Sequence, residues 1–127
     1  MKRARSSLSR IAAVICLDSV TGHPKLSALT AGHPAMTDLV RRTASRLGIE
    51  IGELRGFMPN SDHGSFQAAG IPGLRMIAGY GDPESATRFL LTPLDRREIV
   101  DLGQLKSATT VCLAMTYLAC AGGESTD

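Results

Sequence analysis

The sequence predicts an α/β fold, a partial three-layer sandwich with helices packed on a mostly parallel or mixed sheet. Short apolar runs alternate with segments of helical periodicity from one end of the chain to the other. The first run, Ile11 to Leu17, shows no polar alternation, as expected of a central strand covered on both faces. The segment after Asp101 repeats apolar residues at helical spacing as far as Leu118, as expected of a long helix.

A chain of 127 residues can bury most of its apolar surface in one domain and has no room for two. The expected domain spans residues 11–120, between a basic flexible segment over 1–10 and a flexible tail over 121–127.

Each element has a local cause. After Leu17 the chain meets Asp18, Ser19, Gly22 and Pro24, which turn it just past the strand end. Lys25 to Thr30 alternates well enough for a second strand. From Pro34, a favoured first helical residue, Met36, Leu39, Val40, Thr43, Ala44 and Leu47 recur at helical spacing, and Gly48 ends the helix. Ile49, Ile51 and Leu54 suggest a third strand. Ser61 or Asp62 is positioned to cap a short helix with Phe66 and Ala69 facing inward and Gly70 stopping it. Leu74 to Ala78 forms another apolar strand, and residues 79–97 a long connection of the kind that rims a site. Asp101 followed by Gln104 resembles a capping box, and Leu102, Leu105, Ala108, Val111, Cys112, Met115 and Leu118 mark the buried face of the final helix.

Composition narrows the function. Hydrophobic residues make up 43% and charged residues 20%, a globular balance. The formal charge of +2 owes much to Lys2, Arg3, Arg5 and Arg10 at the start, read as a solvated terminus rather than a nucleic-acid contact. Few aromatic residues and no Trp leave little for stacking on bases, so no nucleic-acid partner is expected. No stretch approaches the ~20 apolar residues that cross a bilayer, so no membrane partner is expected either. Cys16, Cys112 and Cys120 are unpaired in number and widely spaced, which suggests buried thiols and a cytoplasmic location.

Three groups of residues bear on chemistry. Asp18, just past the end of a strand, lies where open α/β sheets gather ligands, although a turn-forming Asp fits the same position. Asn60-Ser61-Asp62-His63 puts four polar groups in one loop. Asp62 there is placed to hold an imidazole tautomer near a metal, or the loop is a helix cap with a surface His. His23 and His33, in Gly-Pro loops, have no ligand-like spacing to another donor and read as loop residues. Serine-nucleophile, phosphate-loop and dinucleotide motifs are missing.

Taken together, these stretches resemble the carboxyl-terminal part of the co-catalytic zinc aminopeptidases, metallopeptidase family twenty-eight, with glutamate carboxypeptidases and glutaminyl cyclases among its relatives. Cys16-Leu17-Asp18 with Gly22 stands where the family has a strand ending in an Asn-Leu-Asp-like motif. Ser61, Asp62, His63, Phe66, Gly70, Ile71 and Pro72 reproduce its Ser-Asp-His-x-x-Phe-x-x-x-Gly-Ile-Pro run in full. Leu91-Thr92-Pro93-Leu94-Asp95 resembles its His-Thr-x-x-Asp segment.

The resemblance implies a zinc-exopeptidase-like fold. It also implies Asp18 as a zinc ligand and Ser61, Asp62 and His63 as a loop shaping the substrate side. The family's other ligands and its glutamate base come from segments without counterparts in this sequence. Its last histidine ligand falls at Leu91, and a Tyr often found before it at Leu90. The implied function is a part of an aminopeptidase-type peptide hydrolase, weak or lacking in zinc and inactive alone. Such a part would act on a peptide or amino-acid derivative once another chain or self-association completed it. The alternative is a non-catalytic binding module or truncated gene product that keeps the fold. The first reading predicts an exposed apolar sheet edge or face where the missing half would pack.

Overall fold

A computed structural model describes residues 7–122. Lys2, Arg3 and Arg5 of the basic start and residues 123–127 of the tail lie outside them. Residues 7–10 form a turn closed by the Arg10 N–H donating to the Ser7 carbonyl at 3.2 Å. Four strands and three helices follow: β1 Val14–Leu17, β2 Leu26–Leu29, α1 Pro34–Leu47, β3 Gly52–Leu54, α2 His63–Ala68, β4 Gly73–Ala78 and α3 Leu102–Ala121. Between β4 and α3, the connection carries 3-10 turns at Ala86–Phe89 and Arg97–Ile99.

The sheet runs β1-β4-β2-β3 and is mixed: β1 with β4 and β2 with β3 are parallel, β2 with β4 antiparallel. Alternation along β4 sorts its side chains by face. Leu74, Met76 and Ala78 join Leu26 and Ala28 against Met36, Leu39 and Val40 of α1 and Ala108, Val111, Cys112 and Met115 of α3. Gly73 lies on the opposite face beneath α2, where an added Cβ would come 3.7 Å from Gln67 Cγ and from the His63 carbonyl. Burying each large aliphatic side chain in this core contributes roughly 1.5–3 kcal/mol.

The strand covered on both faces is β4, whose six residues are all buried. The run expected to be central, Ile11 to Leu17, pairs only from Val14 and lies at the sheet edge, with Leu17 exposed. An apolar run does not distinguish the two positions, because strand order is set by how the chain connections cross the sheet and not by hydropathy. The third strand is also shorter than expected. Ile49 is spent on the helix end, where its N–H reaches the Ala44 carbonyl at 3.1 Å, and pairing starts at Gly52.

Helix α1 follows its sequence signals. Pro34 opens it, His33 caps it by accepting the Ala35 N–H on Nδ1 at 3.2 Å, and Gly48 closes it at φ 65°. In α3 the capping box is half formed. Asp101 accepts the Gln104 N–H at 2.8 Å, but the Gln104 side chain accepts the Gly22 N–H at 2.7 Å instead of returning to Asp101. This ties the start of α3 to the turn after β1. Gly22 has φ +87°, and a Cβ there would lie 2.1 Å from the Ala86 Cβ. Leu102 and Leu105, expected on the buried face of α3, are exposed because the core contact begins a turn later at Ala108.

Candidate functional site

Asp18 follows β1 directly, and its N–H still bonds to β4 through the Met76 carbonyl at 3.4 Å. Ser19, in the left-handed region at φ 61°, then swings the chain away and leaves the carboxylate at the strand end. Two hydroxyls donate to it, Ser61 to Oδ2 at 2.6 Å and Ser19 to Oδ1 at 3.2 Å. Arg75, paired in register with Cys16, brings its Nη2 within 3.5 Å of Oδ2, and its Nε and Nη2 donate to the Asp18 main-chain carbonyl at 3.4 and 3.3 Å. The Ser61 bond above all holds the Asp18 pKa below the usual carboxylate range. Partial burial opposes this, and Arg75 and Ser19 reinforce it. The group is therefore an anion at neutral pH.

The sequence reading missed Arg75. It is 4% exposed in the middle of the most buried strand, a position that a cation occupies only with partners. An Arg interrupting an apolar strand run was the available signal.

Of the loop residues, Ser61 is brought to Asp18 and also lies 3.5 Å from the Cys16 Sγ. Asp62 and His63 form neither the side-chain cap nor the tautomer-fixing pair that their spacing allowed. Asp62 is exposed, sits at the helix start with helical dihedrals and gives no side-chain cap. It also does not fix the imidazole, since neither ring nitrogen of His63 has a hydrogen-bond partner among the described residues. His63 is no surface residue: it is fully buried. Burial is the main force lowering its pKa. The Met58 carbonyl, short of hydrogen-bond geometry, and the charges of Asp18 and Asp62 oppose that effect, while Arg75 adds to it. The anchor of α2 is thus His63 with Gly64, while Phe66 is half-buried and Ala69 exposed. The helix is short and starts tight against the Met58–Pro59 loop, so its first turn is covered and its later turns are not.

A cleft of about 370 Å³ opens beside Asp18, lined by Thr87, Leu90, Asp95, Ile99 and Leu105 among others. Leu91, at the position resembling the family's histidine, is 96% exposed at φ 61° and is not among the residues lining this cleft. Thr92 is used locally, donating to the Phe89 carbonyl at 2.6 Å and accepting the Leu94 N–H at 3.2 Å.

His23 and His33 stay away from Asp18's hydrogen bonds. His23 accepts the Lys25 N–H on Nδ1 at 3.0 Å, which leaves the proton on Nε2 to be donated to Asp82 at 2.8 Å. His33 is the α1 cap. The cysteines are free but not uniformly buried: Cys112 is buried, Cys16 half-buried and Cys120 exposed near the end of α3. Burial pushes the Cys112 thiol up to about 11.

A zinc site needs about three protein ligands. Among the described residues no three His, Cys, Asp or Glu side chains converge, and the one carboxylate at the strand end already shares its oxygens with two hydroxyls and a guanidinium. These residues by themselves do not fit a zinc ion. Nor is any helix among them long and apolar enough to cross a membrane.

A mixed sheet with helices on both faces and a carboxylate at a strand end defines the class, an α/β protein with a polar cluster at the sheet's end. A model of peptidase family M28 matches residues 1–116, and the chain belongs to that family. The fold is similar to that of the zinc aminopeptidase BSAP from Bacillus subtilis, with TM-score 0.76 and 26% identity over 88% of this chain and 29% of that one. It is also similar to an aminopeptidase from Aneurinibacillus sp. strain AM-1, with TM-score 0.69 and 27% identity over 93% of this chain and 29% of that one. The LapA aminopeptidase of Legionella pneumophila shares the fold at TM-score 0.71 and 14% identity, over 91% of this chain and 33% of that one. The chain therefore spans about a third of the length of these structures. No curated protein matches it.

Proposed function

We propose that the chain is part of a zinc-dependent exopeptidase of the aminopeptidase type, contributing one metal ligand, Asp18, and part of the substrate side, and that it does not hydrolyse peptides alone. The observation that carries this reading is the Asp18 carboxylate, held ionised at the strand end by Ser61, itself the first residue of the family's most specific motif. Family membership and likeness to two aminopeptidases at 26–27% identity support the reaction class. The substrate is a peptide or amino-acid derivative, entering along the cleft that runs from Asp18 past Leu90 and Asp95. Zinc belongs to the completed enzyme, since hydrolysis needs further ligands and a base to take a proton from water. The thiols and the composition favour the cytoplasm, without nucleic acid or membrane as partner.

One observation favours a second reading, a non-catalytic module that keeps the frame: the residue at the family's histidine position is an apolar side chain 96% exposed to solvent.

The experiment is zinc stoichiometry by elemental analysis on protein dialysed against zinc, wild type beside Asp18→Ala, with hydrolysis of an aminoacyl p-nitroanilide measured on the same samples. Weak zinc uptake that Asp18→Ala abolishes, without turnover until a complementing polypeptide is added, is the expected result. Zinc uptake indifferent to Asp18→Ala would remove Asp18 from the ligand set. Absence of zinc with any complementing chain would leave the non-catalytic module.

A further inference from the structure

Arg75 is the sole charged residue of β4. Its neighbours in register are Cys16 of β1 and Leu29 of β2, and its side chain is 5% exposed. A guanidinium in such a place stays in the fold only where acceptors replace the water it has lost. Those acceptors are the Asp18 main-chain carbonyl at 3.4 and 3.3 Å, the Ser19 hydroxyl at 3.5 Å and the Asp18 carboxylate, whose Oδ2 lies 3.5 Å from Nη2. Among the described residues no other carboxylate pairs with it. The seven-position run that carries the family resemblance ends at Pro72, so it gives this cation no part.

Carboxylate and guanidinium form a neutral pair, and charge rather than access limits what can join it. The Asp18 side chain lines an open cleft, but Oδ2 already accepts the Ser61 hydroxyl at 2.6 Å and faces Arg75, which uses both of its lone-pair directions. A zinc ion bonded to Oδ2 at ~2 Å stands no more than about 6 Å from Nη2. Even with the screening of bulk water, a dication and a unit cation that close repel enough to lower affinity about tenfold, and burial of the guanidinium weakens the screening. The effect is reciprocal: a metal that settles on Asp18 draws the counter-ion away from a charge that water barely reaches.

We infer that Arg75 is a built-in counter-cation that competes with a divalent metal for the Asp18 carboxylate, and that its charge sets how weakly this strand end takes zinc. This rests on Asp18 as the metal ligand proposed above and names the residue that opposes it. The misfit between these residues and a zinc ion is thus more than a shortage of donors. The one donor present is already neutralised from within the sheet, by a side chain that the β1–β4 register holds beside it.

The test is the zinc affinity of the full chain at neutral pH, measured by competition with a chromophoric chelator, for wild type, Arg75→Gln and Arg75→Lys, each with and without Asp18→Ala. Arg75→Gln removes the charge and keeps a donor for the Asp18 carbonyl, and it should bind zinc roughly tenfold tighter or more than wild type. Arg75→Lys keeps the charge and should stay within about threefold of wild type. Asp18→Ala should abolish the gain. In the wild type, zinc that shifts the Asp18 carboxyl carbon resonance should shift the Arg75 Nε resonance at the same concentration. This measurement carries the test should circular dichroism show the Arg75 variants unfolded. Zinc uptake that is lost with Asp18→Ala but not tightened by Arg75→Gln, an equal gain from Arg75→Lys, or an Arg75 resonance that stays put while Asp18 holds metal would each overturn the inference and leave Asp18 a ligand. Uptake indifferent to Asp18→Ala in every background would sink the inference together with the ligand assignment beneath it.

Discussion

Replacing Ser61 by Ala tests whether the family motif acts through its hydroxyl on Asp18. The bond is a short O–H to carboxylate contact of 2.6 Å, and a hydrogen bond to a charged group is worth ~1.5–3 kcal/mol. The Asp18 side chain is 43% exposed, so water replaces part of what is lost, and the expected cost falls to about 1 kcal/mol. The sign with pH follows from the depressed pKa. Stability from an ionised Asp18 is fully present above the ordinary carboxylate value and is lost as pH falls through the lower value of the folded state. Ser61→Ala should therefore cost about 1 kcal/mol in urea unfolding at pH 7, progressively less in acid, and raise the Asp18 pKa in a carbon-detected NMR titration. In an Asp18→Ala background the cost should nearly vanish. An equal cost in both backgrounds, or an unmoved Asp18 titration, would show that Ser61 acts through packing and refute the reasoning.

Three other outcomes are expected. Met115→Ala, at a fully buried position beneath the sheet, should lower stability by about 2–5 kcal/mol, read as a shift of the denaturation midpoint without change of slope. Gly64→Ala places a Cβ 2.5 Å from the Pro59 Cα, so the Met58–Pro59 loop must move; faster exchange at the His63 and Gly64 amides would register this, and unchanged exchange would count against it. His63 titrates below its ordinary value, so its contribution is complete above about pH 6.5 and is lost as pH falls through the folded value. His63→Phe should flatten the stability profile on the acid side of neutrality, and a profile unchanged by the substitution would place that acid sensitivity elsewhere.

The second and fourth strands, α1 and α3 were legible in the sequence because their causes are local. Pro34, Gly48 and the spacing of Met36, Leu39 and Val40 act within a few residues of one another, and the Asp101 cap acts across one turn. The seven-position run from Ser61 to Pro72 identified the family for the same reason, since fixed spacing is a property of the chain itself. Residues far apart in sequence were not legible. Arg75 reads as a flaw in an apolar strand until the β1–β4 register sets it beside Cys16 and under Asp18. His63 reads as a loop histidine until α2 folds over the sheet and closes water off from both ring nitrogens. Gln104 reads as half of a capping box until the turn after β1 brings the Gly22 N–H to it.

The same division holds for the edge of the sheet. The sequence by itself determined that Ile11 to Leu17 is apolar and that its chemistry ends in Asp18. Only the tertiary structure decided that β4 takes the middle of the sheet and β1 the rim, because strand order depends on how chain connections cross the sheet rather than on how apolar each strand is.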